Sequence, residues 1–377
     1  MAIINQGGKG TIGGTVIAVD SLAGTVQFCS PESGGNTLVT NAVPYEARSF
    51  DADFFAKLGE AVKEQLALNP KMDVDEVSLI LPDQLFLLDT VSIPVIHRKA
   101  MQQSLSVAVE TIYRNAAELN LMTYPVAQTK QTMTFGLVGV RHDLLDLANK
   151  TLVDAEAPVS SITFASNAMV NGAMALNAKL RGETFLLLDI KRDYARYALV
   201  VRGCTMGYYD LPFGYGMMHE SDICIEDALF DHSAAELLVY VSREKARAKE
   251  AGEGGESAEI PDVLPLKTPK KLPGFMLRAK PEDAEGYIYE NFRIFLKWAL
   301  ELINNNRDIT SIAKIDTIYI NMPDRYRFLF DVIKTKHEGR GTTFLPLLPE
   351  GSELSLAENL ELYGGFHTKR YNTANTF

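Results

Sequence analysis

Thr15-Val-Ile-Ala-Val-Asp20 and Phe185-Leu-Leu-Leu-Asp189 read alike: each is an apolar run that ends in an aspartate. Each is followed, after a short turn, by a second β-type run, Thr25-Val-Gln-Phe28 in one case and Tyr197-Ala-Leu-Val-Val201 in the other. A repeat half a chain apart predicts a duplicated α/β architecture. Two such hairpins facing each other across a cleft would suit a nucleotide, with backbone N–H groups around the phosphates and a carboxylate in the magnesium shell.

The rest of the chain is consistent with two domains. A length of 377 residues is more than one ordinary core needs. The net charge of −11, with no basic stripe, argues against nucleic acid as a partner. Cys29, Cys204 and Cys224 are widely separated and lack a Cys-x-x-Cys spacing, which suits a reducing compartment and offers no metal site. No apolar run approaches the roughly 20 residues of a membrane span, and the start of the chain lacks the pattern of a secretory leader. The expectation is a soluble, cytoplasmic protein.

Working outward from the first hairpin, residues 14–48 read as a strand meander and 51–68 as a helix with Phe54, Leu58, Val62 and Leu66 on one face. Val77–Leu81 is the next strand. Residues 84–155 read as a small α/β subdomain inserted into the first half: a strand at 86–93, a helix near 97–119, one or two strands at 132–140 and a helix at 143–155. Ser160–Ala165 returns to the first domain, before an Ala-rich helix. The second half repeats the plan, with strands at 185–190, 197–202 and 205–211, helices at 232–249, 283–304 and 324–336, and strands at 317–321 and 343–346. A last helix is expected at 355–369, returning to the first domain. Phe292, Phe295 and Trp298 at helical spacing read as core, and 250–276, rich in Gly and Pro, reads as a mobile loop. The domains are therefore expected at 1–180 and 181–377.

The order of these elements resembles the actin-like (ribonuclease H-like) ATPase superfamily. Within it the chain is most similar to the PilM-like type IV pilus assembly proteins, with FtsA and EutJ as relatives. The stretches that carry the resemblance are Leu79-Ile-Leu-Pro82 before Thr90-Val-Ser-Ile-Pro94, Thr134-Phe-Gly-Leu-Val-Gly-Val140, Ile162-Thr-Phe-Ala-Ser-Asn-Ala168, Leu211-Pro-Phe-Gly-Tyr-Gly216 and Leu362-Tyr-Gly-Gly-Phe-His-Thr-Lys-Arg370. The resemblance implies ATP with magnesium as cofactor. It places Asp20, Ser21, Gly24 and Thr25 in one phosphate loop and Asp189, Lys191, Gly214 and Gly216 in the other, with Asp20 and Asp189 reaching magnesium through bound water.

Here the chain departs from the family pattern. The phosphate loops of the family read Asp-x-Gly, whereas this chain has Leu22 and Lys191 at the glycine positions. A glycine there lets backbone amides reach phosphate oxygens, and a side chain puts bulk in the way. The Gly-Gly pair of the adenosine side is replaced by Ile320-Asn-Met-Pro-Asp324. The loops are thus read as degenerate, and ATP hydrolysis is expected to be very slow or absent. An aspartate at a strand end is most often a turn residue bonded to its own backbone, which is the alternative to a magnesium role for each, and Lys191 reads as a solvated hairpin tip or a substitute for the cation. Gly7-Gly-Lys-Gly-Thr11 lacks the Gly-Lys-[Ser/Thr] of a P-loop, and no Gly-x-Ser-x-Gly is present.

The resemblance implies a scaffold at the inner face of the membrane that binds the N-terminal cytoplasmic peptide of a PilN-like inner-membrane protein, with self-association as a further property and no direct membrane insertion. The groove is expected between the first domain and the insert, near Phe86, Val91, Ile93, Met101 and Leu105. The alternatives are an active ATPase that polymerises like FtsA and a EutJ-like chaperone.

Overall fold

The computed structural model describes residues 14–31, 37–39, 43–44, 50, 52–113, 116–211, 214–219, 284–306, 313–337, 341–352 and 357–367. The expected helix at 232–249, the loop at 250–276 and Cys224 lie outside these residues. Contacts divide the chain into two units, one formed by Met1–Ala178 with Leu360–Phe377, the other by Lys179–Glu256 with Leu264–Asn359.

The first unit is built on β1 (Val16–Asp20), β2 (Thr25–Pro31), β3 (Thr37–Val39), β4 (Val43–Pro44), β5 (Val77–Leu81) and β9 (Val159–Phe164). Its sheet runs β3-β2-β1-β5-β9, with β4 also on β2. β1 and β2 are antiparallel, whereas β5 lies parallel to β1 and β9 parallel to β5. Such central strands are covered on both faces, which is why Val16–Val19 is an unbroken apolar run, Val77–Leu81 is apolar but for Ser78, and both are wholly buried. Helix α1 (Ala52–Leu68) buries Phe54, Phe55, Leu58 and Val62. On the face where Val16, Ala18 and Ile80 point, α4 (Ala165–Leu176) contributes Ala165 and Ala168, and the last helix, α7 (Leu360–Gly365), contributes Leu362. The two helices touch through glycine: a Cβ on Gly172 would sit 2.5 Å from the Leu360 carbonyl oxygen, and one on Gly364 would sit 1.7 Å from that of Ala168.

Between β5 and β9 the chain builds a separate antiparallel sheet, β6-β8-β7, from β6 (Leu87–Pro94), β7 (Leu119–Gln128) and β8 (Thr132–Arg141), with α2 (Arg98–Ile112) crossing from β6 to β7. Two boundaries differ from the sequence reading. Helix α2 stops at Ile112, and Leu119 begins an edge strand instead of ending the helix. The following helix, α3 (His142–Asp154), packs on α1, where Thr151 Cγ2 lies 3.0 Å from a Cβ built on Gly59. The insert's own sheet therefore ends at Arg141, and α3 belongs to the main layer. The cause is burial: Leu145, Ala148 and Leu152 form a single apolar stripe on α3.

The second unit repeats the strand order. β10 (Phe185–Ile190), β11 (Ala195–Val201) and β12 (Cys204–Leu211) form an antiparallel meander, β13 (Thr317–Asn321) and β14 (Thr343–Pro346) add in parallel, and the sheet runs β12-β11-β10-β13-β14. Its core is sealed by α5 (Ala284–Asn305) and α6 (Phe328–His337). Trp298, fully buried, stacks on Tyr209 at 4.9 Å, and Tyr197 donates its hydroxyl to the Phe295 carbonyl at 3.1 Å. The expected core spacing of Phe292, Phe295 and Trp298 is met, all three being completely buried.

Candidate functional site

In open α/β sheets, ligands are held outside the carboxyl ends of parallel strands. In the first unit that edge carries Asp20, which ends β1, and Asp83, just past β5. Asp20 Oδ1 accepts from the N–H groups of Leu22 and Ala23, both at 3.0 Å, and Gly24 closes the turn at φ +63°. Ser21 Oγ donates to Gln84 Oε1 at 3.3 Å. Thr25 pairs with Asp20 across the hairpin, and its buried Oγ1 has no hydrogen-bond partner among the described residues. Asp83, 1% exposed, accepts from both the N–H and the hydroxyl of Ser166 at 2.8 Å and so caps α4 from outside the helix.

The same edge of the second unit is more densely bonded. Asp189, one residue before the end of β10, stands in register with Asn321, which ends β13, and accepts from Asn321 Nδ2 at 2.6 Å. The ammonium of Lys191 lies 3.3 Å from the other Asp189 oxygen, with both side chains buried. Lys191 Nζ also donates to the carbonyl of Glu358, and Asn321 Nδ2 donates to that of Ala357 at 2.7 Å. Tyr215 donates its hydroxyl to Glu358 Oε1 at 2.5 Å, with its ring against Tyr326 and the Arg325 guanidinium. Burial, then the hydrogen bond to Glu358, raise the Tyr215 phenol well above its ordinary range. Gly214 and Gly216 lie against the β10–β11 hairpin: a Cβ on Gly214 would stand 2.2 Å from the Lys191 carbonyl oxygen. The Tyr215 N–H donates to Lys191 O at 2.8 Å and the Gly216 N–H to Arg192 O at 2.9 Å.

A phosphate needs donors, and four loop amides are committed to the chain itself. The turn amides of Leu22 and Ala23 serve Asp20, while those of Tyr215 and Gly216 serve hairpin carbonyls. At this strand edge of the second unit, Asn321 Oδ1 is a buried acceptor with no hydrogen-bond partner among the described residues, and a phosphate oxygen cannot satisfy it. As arranged, these four amides are not presented to a phosphate. Among the described residues, no three His, Cys, Asp or Glu side chains are placed to share a metal ion.

The insert offers a different kind of site. A cavity of about 460 Å³ opens between α2 and strands β7 and β8, lined by Leu105, Val109, Leu119, Leu121 and Leu137, with Glu110 and His142 among its polar groups. Of the five residues expected at a partner groove, Leu105 lines this cavity. Phe86, Val91 and Ile93 are buried at 1–2% exposure and Met101 is half-buried. Sequence reasoning missed Tyr215 and Glu358 altogether and treated Asn321 only as a lost glycine. Its place in a strand parallel to β10 was the available signal.

No protein-family model matches the chain, and no curated protein matches it. Among solved structures, the chain is similar to the PilM-PilN type IV pilus biogenesis complex, with 13% identity, coverage of 94% of this chain and 98% of that one, and a TM-score of 0.53. It also matches a protein with actin-like ATPase fold from Bacteroides thetaiotaomicron (7% identity, 93% and 94% covered, TM-score 0.36) and MreB 5 of Spiroplasma citri bound to AMPPNP (10%, 93% and 94%, 0.37). At these identities the likeness is one of fold, and the fold is the duplicated actin-like one.

Proposed function

We propose that this chain is an actin-like scaffold of type IV pilus assembly that links a PilN-like inner-membrane protein to the assembly machinery and does not act as an ATPase. The observation that carries the reading is the likeness to the PilM-PilN complex along nearly the whole of both chains. The donors that would cradle phosphates are bonded within the chain, which supports a structural role over a nucleotide cycle. Among the described residues, no helix is long and apolar enough to cross a membrane, so the reading assigns membrane attachment to the partner.

The partner segment in this reading is a short N-terminal cytoplasmic peptide, held by apolar anchors and backbone pairing to a strand edge. Two features of the insert support this reading: the cavity beside α2, and the position of β7 at the edge of its sheet among the described residues. The test is calorimetric titration of the full chain with the N-terminal peptide of the PilN-like protein, repeated with magnesium ATP. Peptide binding that is indifferent to nucleotide supports the scaffold. ATP turnover lost in Asp20→Ala would favour the nucleotide-switched polymer instead.

A further inference from the structure

In the second unit, three side chains from separate stretches converge on two consecutive residues, Ala357 and Glu358. Lys191, from the first hairpin, reaches the carbonyl of Glu358, which is 167 residues further along the chain. Asn321, from the end of β13, reaches the carbonyl of Ala357, and Tyr215 reaches the Glu358 carboxylate. Lys191 and Asn321 also hold Asp189, whose side chain is 2% exposed. A carboxylate so buried must have a countercharge, because the free energy of leaving it unpaired is too high. The countercharge is the lysine two residues on, itself only 7% exposed. Its flexible stem and three donors let one ammonium satisfy the carboxylate and a carbonyl together.

We propose that Lys191 is a tethered cation that replaces a bound metal nucleotide as the organiser of this strand edge, and that its work is to clamp residues 357–358 at the end of the unit. The proposal depends on the actin-like reading only for what the ammonium replaces. The clamp itself is in the hydrogen bonds. It also explains why a lysine is tolerated where the related loops place a glycine: the side chain folds inward onto Asp189, and the hairpin carbonyls of Lys191 and Arg192 accept from the N–H groups of Tyr215 and Gly216.

Removal and chemical rescue of the ammonium decide the matter. In the full chain, Lys191→Ala should lower the thermal midpoint of this unit by about 6–12 °C, the cost of an uncompensated buried carboxylate. Amide exchange at residues 357–358 should accelerate at least tenfold. Propylammonium chloride should restore much of both losses in Lys191→Ala, and the same concentration of sodium chloride should not. Wild type should respond to neither salt, and magnesium ATP should leave its midpoint unchanged. If Lys191→Ala does not fold, Lys191→Met, which keeps the stem, takes its place for midpoint and exchange. A variant midpoint within about 1 °C of wild type overturns the proposal, as does a folded alanine variant that propylammonium cannot rescue or a wild type stabilised by magnesium ATP. A failure of the scaffold reading would show separately, as absent peptide binding with the rescue intact.

Discussion

Asn321 Nδ2 lies 2.6 Å from Asp189 Oδ1, joining the ends of two parallel strands that are 132 residues apart in sequence. The same nitrogen donates to Ala357 O at 2.7 Å, so one amide group ties together β10, β13 and the segment that precedes the last helix.

Replacing that amide tests how much of the edge depends on it. Asn321→Leu should cost about 2–4 kcal/mol, since it removes a charge-assisted hydrogen bond and leaves Ala357 O without its donor. Asn321→Asp should cost more at neutral pH, because it sets a second carboxylate against Asp189. The difference should shrink as the pH falls toward about 4, the ordinary carboxyl range, because a carboxyl set against Asp189 binds its proton more tightly folded than unfolded. Urea unfolding at two pH values measures it, and equal stability of the two variants at neutral pH would refute the assignment.

The contact between α4 and α7 depends on two glycines. Gly364→Ala and Gly172→Ala should each destabilise the first unit by about 1–3 kcal/mol or more, because their Cβ atoms would strike the carbonyls of Ala168 and Leu360. Gly182→Ala, where a Cβ meets nothing within 4 Å, is the control and should change stability by less than about 0.5 kcal/mol. Thermal midpoints that rank the three variants otherwise would show that the helices are not so closely packed.

Buried thiols make stability fall in alkali. Burial pushes Cys29 up to about 12 and Cys204 up to about 11, against 9.0 for a free thiol. The unfolded chain therefore loses these protons first. Stability is fully present below about pH 9 and declines as the pH rises toward 11–12, by about 1.4 kcal/mol per pH unit per thiol. Cys29→Ala should flatten the decline in urea midpoints between pH 9 and 11. At pH 8 the Cys29 thiol, 3% exposed, should react with a disulfide reagent only after denaturation, whereas Cys204 is half-buried. Rapid labelling of Cys29 in the folded protein would contradict this.

The cavity in the insert gives the partner reading a local test. Ala117→Trp would fill space beside Leu119 and Leu121, and should weaken the PilN-like peptide at least tenfold if its anchor sits there. Val107→Glu, on an exposed part of α2 that does not line the cavity, should leave affinity unchanged. Equal affinities across wild type and both variants would move the peptide to another surface.

The strand order was legible because parallel central strands must be apolar on both faces. Val16–Val19 and Leu186–Leu188 show this directly, and the aspartates that end them mark the turns. Edge strand β7 was harder to read: Asn120, Thr123, Tyr124 and Pro125 carry no core signature, and the apolar period of α2 runs on in the sequence beyond the point where the helix ends. What Asp20 and Asp189 do was open in the sequence, since a strand-end carboxylate most often serves its own turn but can serve a ligand instead. The tertiary structure separated the two. Asp20 bonds its own turn, whereas Asp189 is held by Asn321 and Lys191. That difference arises only when β13 and residues 357–358 are brought beside β10, because local sequence governs backbone hydrogen bonds within a turn, but the partner of a buried charge is whatever folding places next to it.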